Sequence, residues 1–354
     1  MSLLLRNVAR PVWMLLPPAV RTSSLALWLK AKLVKPPIPI AAPVPPPDPV
    51  VSVAPVAPRA PFKGPQQVST LEELDEMLVM LDAAAAISDD ELRRGFTRFT
   101  MRFPLDLPAD PDSEAYRTTQ FKLYEWLHGK PYSTSNEVSS FDTRAAASRP
   151  FPFYTESPHT VGNHIISIGH LIRTLNLPPK SAILEFGPGW GNTTVWLARM
   201  GYRVTAVDIE QNFVDLIRER ARRKELDIDV RQGDFSLIDQ FEQQFDAVLF
   251  FECFHHCANH QALIASLDRV IAPGGKAVFA AEPITDDFPI PWGLRLDGES
   301  LWAIRKQGWL ELGFKESYFR KLLARHGWEV EKSVCPETPW GVILTATRKA
   351  EQAA

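Results

Sequence analysis

The chain has 354 residues, a net charge of -3 and 45% apolar residues. These values are those of a soluble globular protein long enough to bury a real core. With charge near balance and no basic run in the globular part, there is no reason to expect a nucleic-acid partner. Cys253, Cys257 and Cys335 are too few and too unevenly spaced for a disulfide framework, so a reducing, cytoplasmic setting is expected.

Residues 1–65 read as a tail and linker. Arg6, Arg10, Arg21, Lys30, Lys32 and Lys35 alternate with short leucine-rich runs, and no acid precedes Asp48. No run approaches the ~20 apolar residues a membrane span needs. Two readings stay open: a segment lying on an anionic membrane surface, with Trp28 and the leucines down, or a disordered tail. From Pro36 to Pro65 proline, alanine and valine dominate, which predicts an extended polyproline-like linker.

Residues 66–150 read as a helical cap. Ser69-x-x-Glu72 and Ser88-x-x-Glu91 look like capping boxes, each opening a helix. Leu71, Leu74, Leu78 and Leu81 follow the first at helical spacing. A third helix is expected over 111–128, followed by a polar loop over 133–140. From 151 to 349 strands and helices alternate. Strands are expected over 182–186, 203–207, 228–231, 247–251 and 276–281, with helices over 193–200, 213–224, 261–271 and 315–326. Two final strands, 328–333 and 342–347, lack an intervening helix and suit an antiparallel edge hairpin. The whole predicts an α/β fold: a Rossmann-like, seven-stranded, mostly parallel sheet with helices on both faces.

The strongest chemical signal is Glu185-Phe-Gly-Pro-Gly-Trp-Gly-Asn192, a strand running into Gly187, Gly189 and Gly191 and then a helix. Glycines belong where the turn is tight and the backbone must approach a ligand. Asn192 stands where the dinucleotide fingerprint needs its third glycine, which argues against a nicotinamide enzyme. Asp208 ends the next strand, about 20 residues on, where an acid can hold ribose hydroxyls. Gly233-Asp234-Phe235 ends the third strand, placed to meet an adenine edge. Asp246 enters the fourth strand and reads as structural, and Arg269 to Gly275 turns a helix into the fifth strand.

These features in this order resemble the class I S-adenosylmethionine-dependent methyltransferases. The resemblance implies S-adenosyl-L-methionine as cofactor. Glu185, Gly187, Gly189 and Gly191 would lie against its methionine part, Asp208 would hold the ribose, Ile209 and Phe235 would flank the adenine, and Asp234 would receive the adenine amino group. Phe251 and Glu252 would line the site near the transferring methyl. A hydroxyl acceptor needs a general base, for which His255, Glu252 and Glu282 are the candidates. Cys253, His255, His256, Cys257 and His260 have the identities of zinc ligands but not a zinc-site spacing, so no metal is expected.

Residues 284–313 form a connection longer than usual, containing Trp292, Trp302, Trp309, Arg295, Asp297, Glu299 and Arg305. Flat aromatic faces among paired charges suit a saccharide, while the same tryptophans would equally pack a lid against the cap. The stretches 103–110 and 113–116 and Asp297-Gly-Glu-Ser300 are similar to bacterial methyltransferases associated with glycosyltransferases in surface-polysaccharide synthesis. That similarity implies O-methylation of a saccharide or glycoconjugate. The alternatives are another small-molecule acceptor, or a scaffold that binds the cofactor without turnover.

Overall fold

The computed structural model describes residues 65–102, 106–138 and 141–348. The N-terminal tail, for which a membrane surface or disorder stayed open, and the proline-rich linker up to residue 64 lie outside the described residues, as does part of the 103–110 stretch. Among the described residues no helix is long and apolar enough to cross a membrane.

The cap comes first. A short strand β1 (Gln66–Val68) pairs in parallel with β2 (Phe99–Met101), and α1 (Leu71–Ala85) and α2 (Asp89–Phe96) lie between them. Ser88 caps α2 as expected, its hydroxyl accepting from the Glu91 amide. The cap of α1 is shifted by one residue: Thr70 accepts from Glu73, and Glu73 in turn takes the Ser69 amide. Either register offers a hydroxyl three residues before a glutamate, and the shifted one keeps Leu74, Leu78 and Leu81 inward. Helix α3 (Glu114–His128) starts three residues later than expected, because the Ser113 hydroxyl accepts the Tyr116 amide and so supplies the cap.

Two elements follow in a stretch where the sequence predicted none. These are α4 (Thr143–Ser148) and the long α5 (Pro158–Leu175). Ser157 caps α5 and Pro158 opens it, the arrangement a helix start prefers.

The sheet is then built by β3 (Ala182–Phe186), α6 (Asn192–Arg199), β4 (Arg203–Asp208), α7 (Gln211–Lys224), β5 (Ile228–Gln232), β6 (Phe245–Phe251), α8 (His260–Val270) and β7 (Ile271–Ala280). After an insertion come α10 (Glu316–Arg325), β10 (Trp328–Val334) and β11 (Val342–Arg348). The strand order is β10-β11-β7-β6-β3-β4-β5, parallel except for β11. The final hairpin therefore docks through β11, leaving β10 at the edge. Alternate strand residues face opposite cores. Val248, Phe250, Ala277 and Phe279 join one, and Ala247, Leu249, Val278 and Ala280 join the other. Helix α5 packs on the second face through Leu171 and Leu175.

The segment expected as one long connection folds into β8 (Trp292–Leu294), α9 (Gly298–Gln307) and β9 (Leu312–Phe314). It joins the cap to the sheet. Leu74, Leu81, Tyr124 and Leu127 share a single apolar core with Leu301, Ile304, Leu312 and the sheet residue Phe250. Tyr116 donates to the Trp292 carbonyl at 2.7 Å and Arg305 pairs with Asp75. Tyr116→Phe should cost about 0.5–1.5 kcal/mol in urea unfolding, the worth of one buried hydrogen bond. A cost near zero would show that the bond does not join cap to insertion.

Candidate active site

The strand order changes direction between β3 and β6, since β4 and β5 lie to one side and β7 to the other. Such a switch point leaves a crevice at the carboxyl ends of the strands, where open α/β sheets bind ligands. Two cavities open there, meeting at Gly187 and His256.

The glycine loop separates them. Gly187, Gly189 and Gly191 all have positive φ (56°, 50° and 68°). At Gly187 a Cβ would stand 2.5 Å from that of Cys253, so here β3 and the end of β6 touch backbone to side chain. At Gly191 a Cβ would stand 2.6 Å from Ile217, while at Gly189 the same atom meets nothing within 4 Å. Gly187 and Gly191 are packing positions, and Gly189 lines the larger cavity. Asp208 holds this loop. Its carboxylate accepts from the Gly189 amide at 2.9 Å and from the Glu210 amide at 3.0 Å. Burial pushes Asp208 up to about 6 despite those bonds. Asp246, on the neighbouring strand, accepts from the Ala182 amide and is structural as expected.

The smaller cavity, about 220 Å³, is lined by Ile209, Asp234, Phe235, Cys257 and Leu263, and is mostly apolar. One oxygen of Asp234 accepts from the Ser236 amide and hydroxyl, which sets the turn after β5. Phe235 lies 5.6 Å from Phe186, ring to ring. The larger cavity, about 670 Å³, runs from the glycine loop past Phe251, Glu252 and His255 to Arg295, Trp302, Trp309 and Trp340.

At the floor of the larger cavity stands a histidine–carboxylate pair. Glu282 accepts from the amides of Cys253, Phe254 and His255 and from His255 Nδ1 at 2.7 Å. Its charge is shared among four donors, and although burial opposes ionisation, His255 and the amides hold its carboxyl below the usual range. With Nδ1 donating to Glu282, neutral His255 presents Nε2 as an acceptor, 3.7 Å from Glu311. Burial would lower the His255 pKa, but Glu282 and Glu311 outweigh it and raise it. Glu252 sits at positive φ (51°) where β6 ends, and burial pushes it up to about 8. His256 turns to the Leu310 carbonyl at 2.8 Å, and burial pushes it down to about 4.

Of the zinc-like cluster read from the sequence, Cys253 bonds the Phe186 carbonyl, and His260 packs among Trp292 and Phe314. His255, His256 and Glu311 each bring one potential ligand atom within 4.8 Å of the others. The tryptophans divide: Trp292 is core, and Trp302 and Trp309 line the cavity. The sequence reading missed Arg93, Tyr154, Glu311 and Trp340, which line the larger cavity from four separate segments. Glu311 left a trace, a lone acid inside the apolar run Trp-Leu-Glu-Leu-Gly-Phe.

Residues 184–279 match the methyltransferase domain family. Over this stretch the chain is similar to a methyltransferase domain. The strand order, with the glycine loop at its switch point, is the arrangement expected from the sequence for a methyltransferase that uses S-adenosyl-L-methionine. The chain is 30% identical to a ubiquinone biosynthesis O-methyltransferase of Coxiella burnetii over 98 residues, 28% of this chain and 42% of that protein. It is also 30% identical to a demethylmenaquinone methyltransferase of Tropheryma whipplei over 107 residues, 30% and 44% of the two chains. The match thus spans under half the length of these relatives. Among solved structures, a 1,6-didemethyltoxoflavin-N1-methyltransferase of Burkholderia thailandensis overlaps 61% of this chain and 88% of its own, at 19% identity and a TM-score of 0.41.

The residues present fit S-adenosyl-L-methionine. The apolar slot suits an adenine ring, with the Asp234 acid at its edge. Gly189 leaves open space where a backbone must approach a ligand. Behind the loop, neither oxygen of the buried Glu185 closes a hydrogen bond of ordinary length, with the Thr193 and Thr194 hydroxyls for company. Burial raises Glu185 to about 7, and a cationic ligand group nearby would favour its ionised form. Asp208→Ala should weaken binding of S-adenosylhomocysteine at least about tenfold by calorimetry, since it frees the Gly189 amide and takes away the acid expected at the ribose. Asp208→Asn should fare little better, because one of its two positions must then point an NH2 at an amide N–H. An Asn variant that binds normally would refute the clamp.

Proposed function

We propose that this domain transfers a methyl group from S-adenosyl-L-methionine to a hydroxyl of a polyhydroxylated acceptor such as a saccharide, with His255 as general base. The observation that carries this reading is the His255–Glu282 pair on the floor of a cavity of mixed lining that is continuous with the glycine loop. When bound, the cofactor supplies an already activated methyl group, which leaves the protein to position the acceptor and receive its proton. His255 Nε2 would take the proton of the acceptor hydroxyl, and Glu282 would stabilise the resulting imidazolium. Glu252, largely protonated at neutral pH, donates a hydrogen bond to a neighbouring acceptor oxygen. Gly189, Ile209, Asp234, Phe235 and Phe251 line the space for the cofactor, and Glu185, Gly187, Gly191 and Asp208 shape the loop around it.

Saccharide chemistry is favoured by the lining. Trp302 and Trp309 offer flat faces, and Arg295, Glu299 and Glu311 form a charged group ready to bond several hydroxyls. A second reading, a hydroxyl of a quinone precursor, is favoured by the name of one matched relative, the ubiquinone biosynthesis O-methyltransferase. A methyl-transfer assay following S-adenosylhomocysteine release separates them, using methyl glycosides, quinols and amines as acceptors. Turnover with glycosides is expected, and product only with a quinol or an amine would overturn the saccharide assignment. Cofactor binding without turnover on any acceptor would favour a scaffold. Dialysis against a chelator should leave turnover unchanged. Loss of activity restored by a divalent cation would make His255, with His256 and Glu311, a metal ligand in place of a base.

A further inference from the structure

Beyond Arg93 and Trp340 the larger cavity is followed by a further chamber of about 560 Å³, which the transfer chemistry does not use. Arg93, Pro339 and Trp340 line both. Arg93 is a fixed divider: its Nε donates to Asp89 at 2.8 Å, and its guanidinium lies 5.4 Å from the Trp340 ring centre and 5.9 Å from that of Phe151. The outer chamber presents Asp90, Arg94, His159 and Asn163 around the indole. Its walls are tied together, since Ser157 donates to Asp90 and Thr160 to Asp89, linking α5 to α2.

The lining of this chamber is more apolar than polar, and its charged groups are paired. Arg93 is paired with Asp89, and Arg94 with Glu91. An anion would find both cations already engaged. A neutral, hydroxyl-rich ring would find donors, acceptors and an aromatic face together. A chamber of this size falls within the range of small-ligand sites.

We propose that the outer chamber is a second acceptor subsite that holds the next sugar unit, so that the substrate is an oligosaccharide or glycoconjugate methylated on a ring near one end. This rests on the saccharide reading above. The acceptor's reacting ring lies against His255, and the chain runs over the stacked Arg93–Trp340 pair, which lines both cavities, into the outer chamber.

The test compares kcat/KM for a monosaccharide glycoside and the di- and trisaccharide of the same sugar, in the unaltered protein and in an Arg94→Ala/His159→Ala variant. Calorimetry of the trisaccharide, with S-adenosylhomocysteine present, runs beside it. The second sugar should raise kcat/KM about tenfold, mainly through KM, as expected for ~1.4 kcal/mol of added contact. The variant should retain less than about a threefold gain, with trisaccharide affinity lowered in step. No gain with length, or a gain that survives in the variant, overturns the subsite while leaving the saccharide reading standing. Neither turnover nor binding of any saccharide overturns both.

Discussion

Replacing His255 with alanine should lower kcat by about 10²- to 10⁴-fold, the usual worth of a positioned base, with cofactor affinity nearly unchanged. The pH profile tells this role from mere packing. The base must be neutral to accept a proton, so the rate falls as pH drops through its pKa. Glu282 and Glu311 raise that pKa, so the acid limb of kcat should lie above the ordinary histidine value of about 6.5. Glu282→Gln removes the carboxylate that favours the imidazolium. It should move the acid limb to lower pH while reducing the maximum, because an NH2 group replaces one of the two oxygens and cannot accept from the pair of donors that oxygen held. An unmoved limb in Glu282→Gln would mean that another group takes the proton.

The glycine loop should divide stability from affinity. Gly187→Ala puts a methyl group 2.5 Å from Cys253 Cβ in a backbone conformation that L-residues adopt at a cost. Steric overpacking of about 1–3 kcal/mol plus left-handed strain of about 1–2 kcal/mol should lower the unfolding midpoint clearly. Gly189→Ala bears the strain alone, since its methyl group meets nothing within 4 Å. It should stay folded and lose S-adenosylhomocysteine binding, as the methyl projects toward the space the cofactor is expected to fill. Thermal unfolding and calorimetry on both variants decide the point. Equal losses of stability would show that Gly189 is a packing position too.

The cofactor half was readable because its chemistry is local. Glycines, a strand end and an acid occur within a few residues of each other, and the strand at 182–186 falls where its apolar run predicts. Helix α5 escaped notice because Gly162, Gly169 and many β-branched residues lower its propensity, while its helicity comes from docking Leu171 and Leu175 on the sheet. The Ser157-Pro158 start was the signal available. The acceptor wall was illegible for a different reason. Arg93, Tyr154, Glu311 and Trp340 meet only through the tertiary fold, and nothing in the spacing of four segments records that they share a cavity. His255 was found as a candidate, but its distinction from Glu282 needed the geometry. One residue is free to face the cavity, and the other is consumed by four hydrogen bonds.

The shared core of cap and insertion fixes an order of assembly. Tyr116 finds its carbonyl at Trp292, 176 residues later, Tyr124 bonds Gly308 across 184, and Arg305 pairs with Asp75 across 230. Closing loops of that length is slow and is rewarded only when both ends exist. During synthesis the leucines of α1 and α3 therefore leave the ribosome long before the residues that cover them. The glycine loop and its strands can form around a nearly complete sheet while the acceptor wall still lacks its far side. The residues of the insertion that cover α1 and α3 are thus synthesised well after the leucines they cover and after the glycine loop.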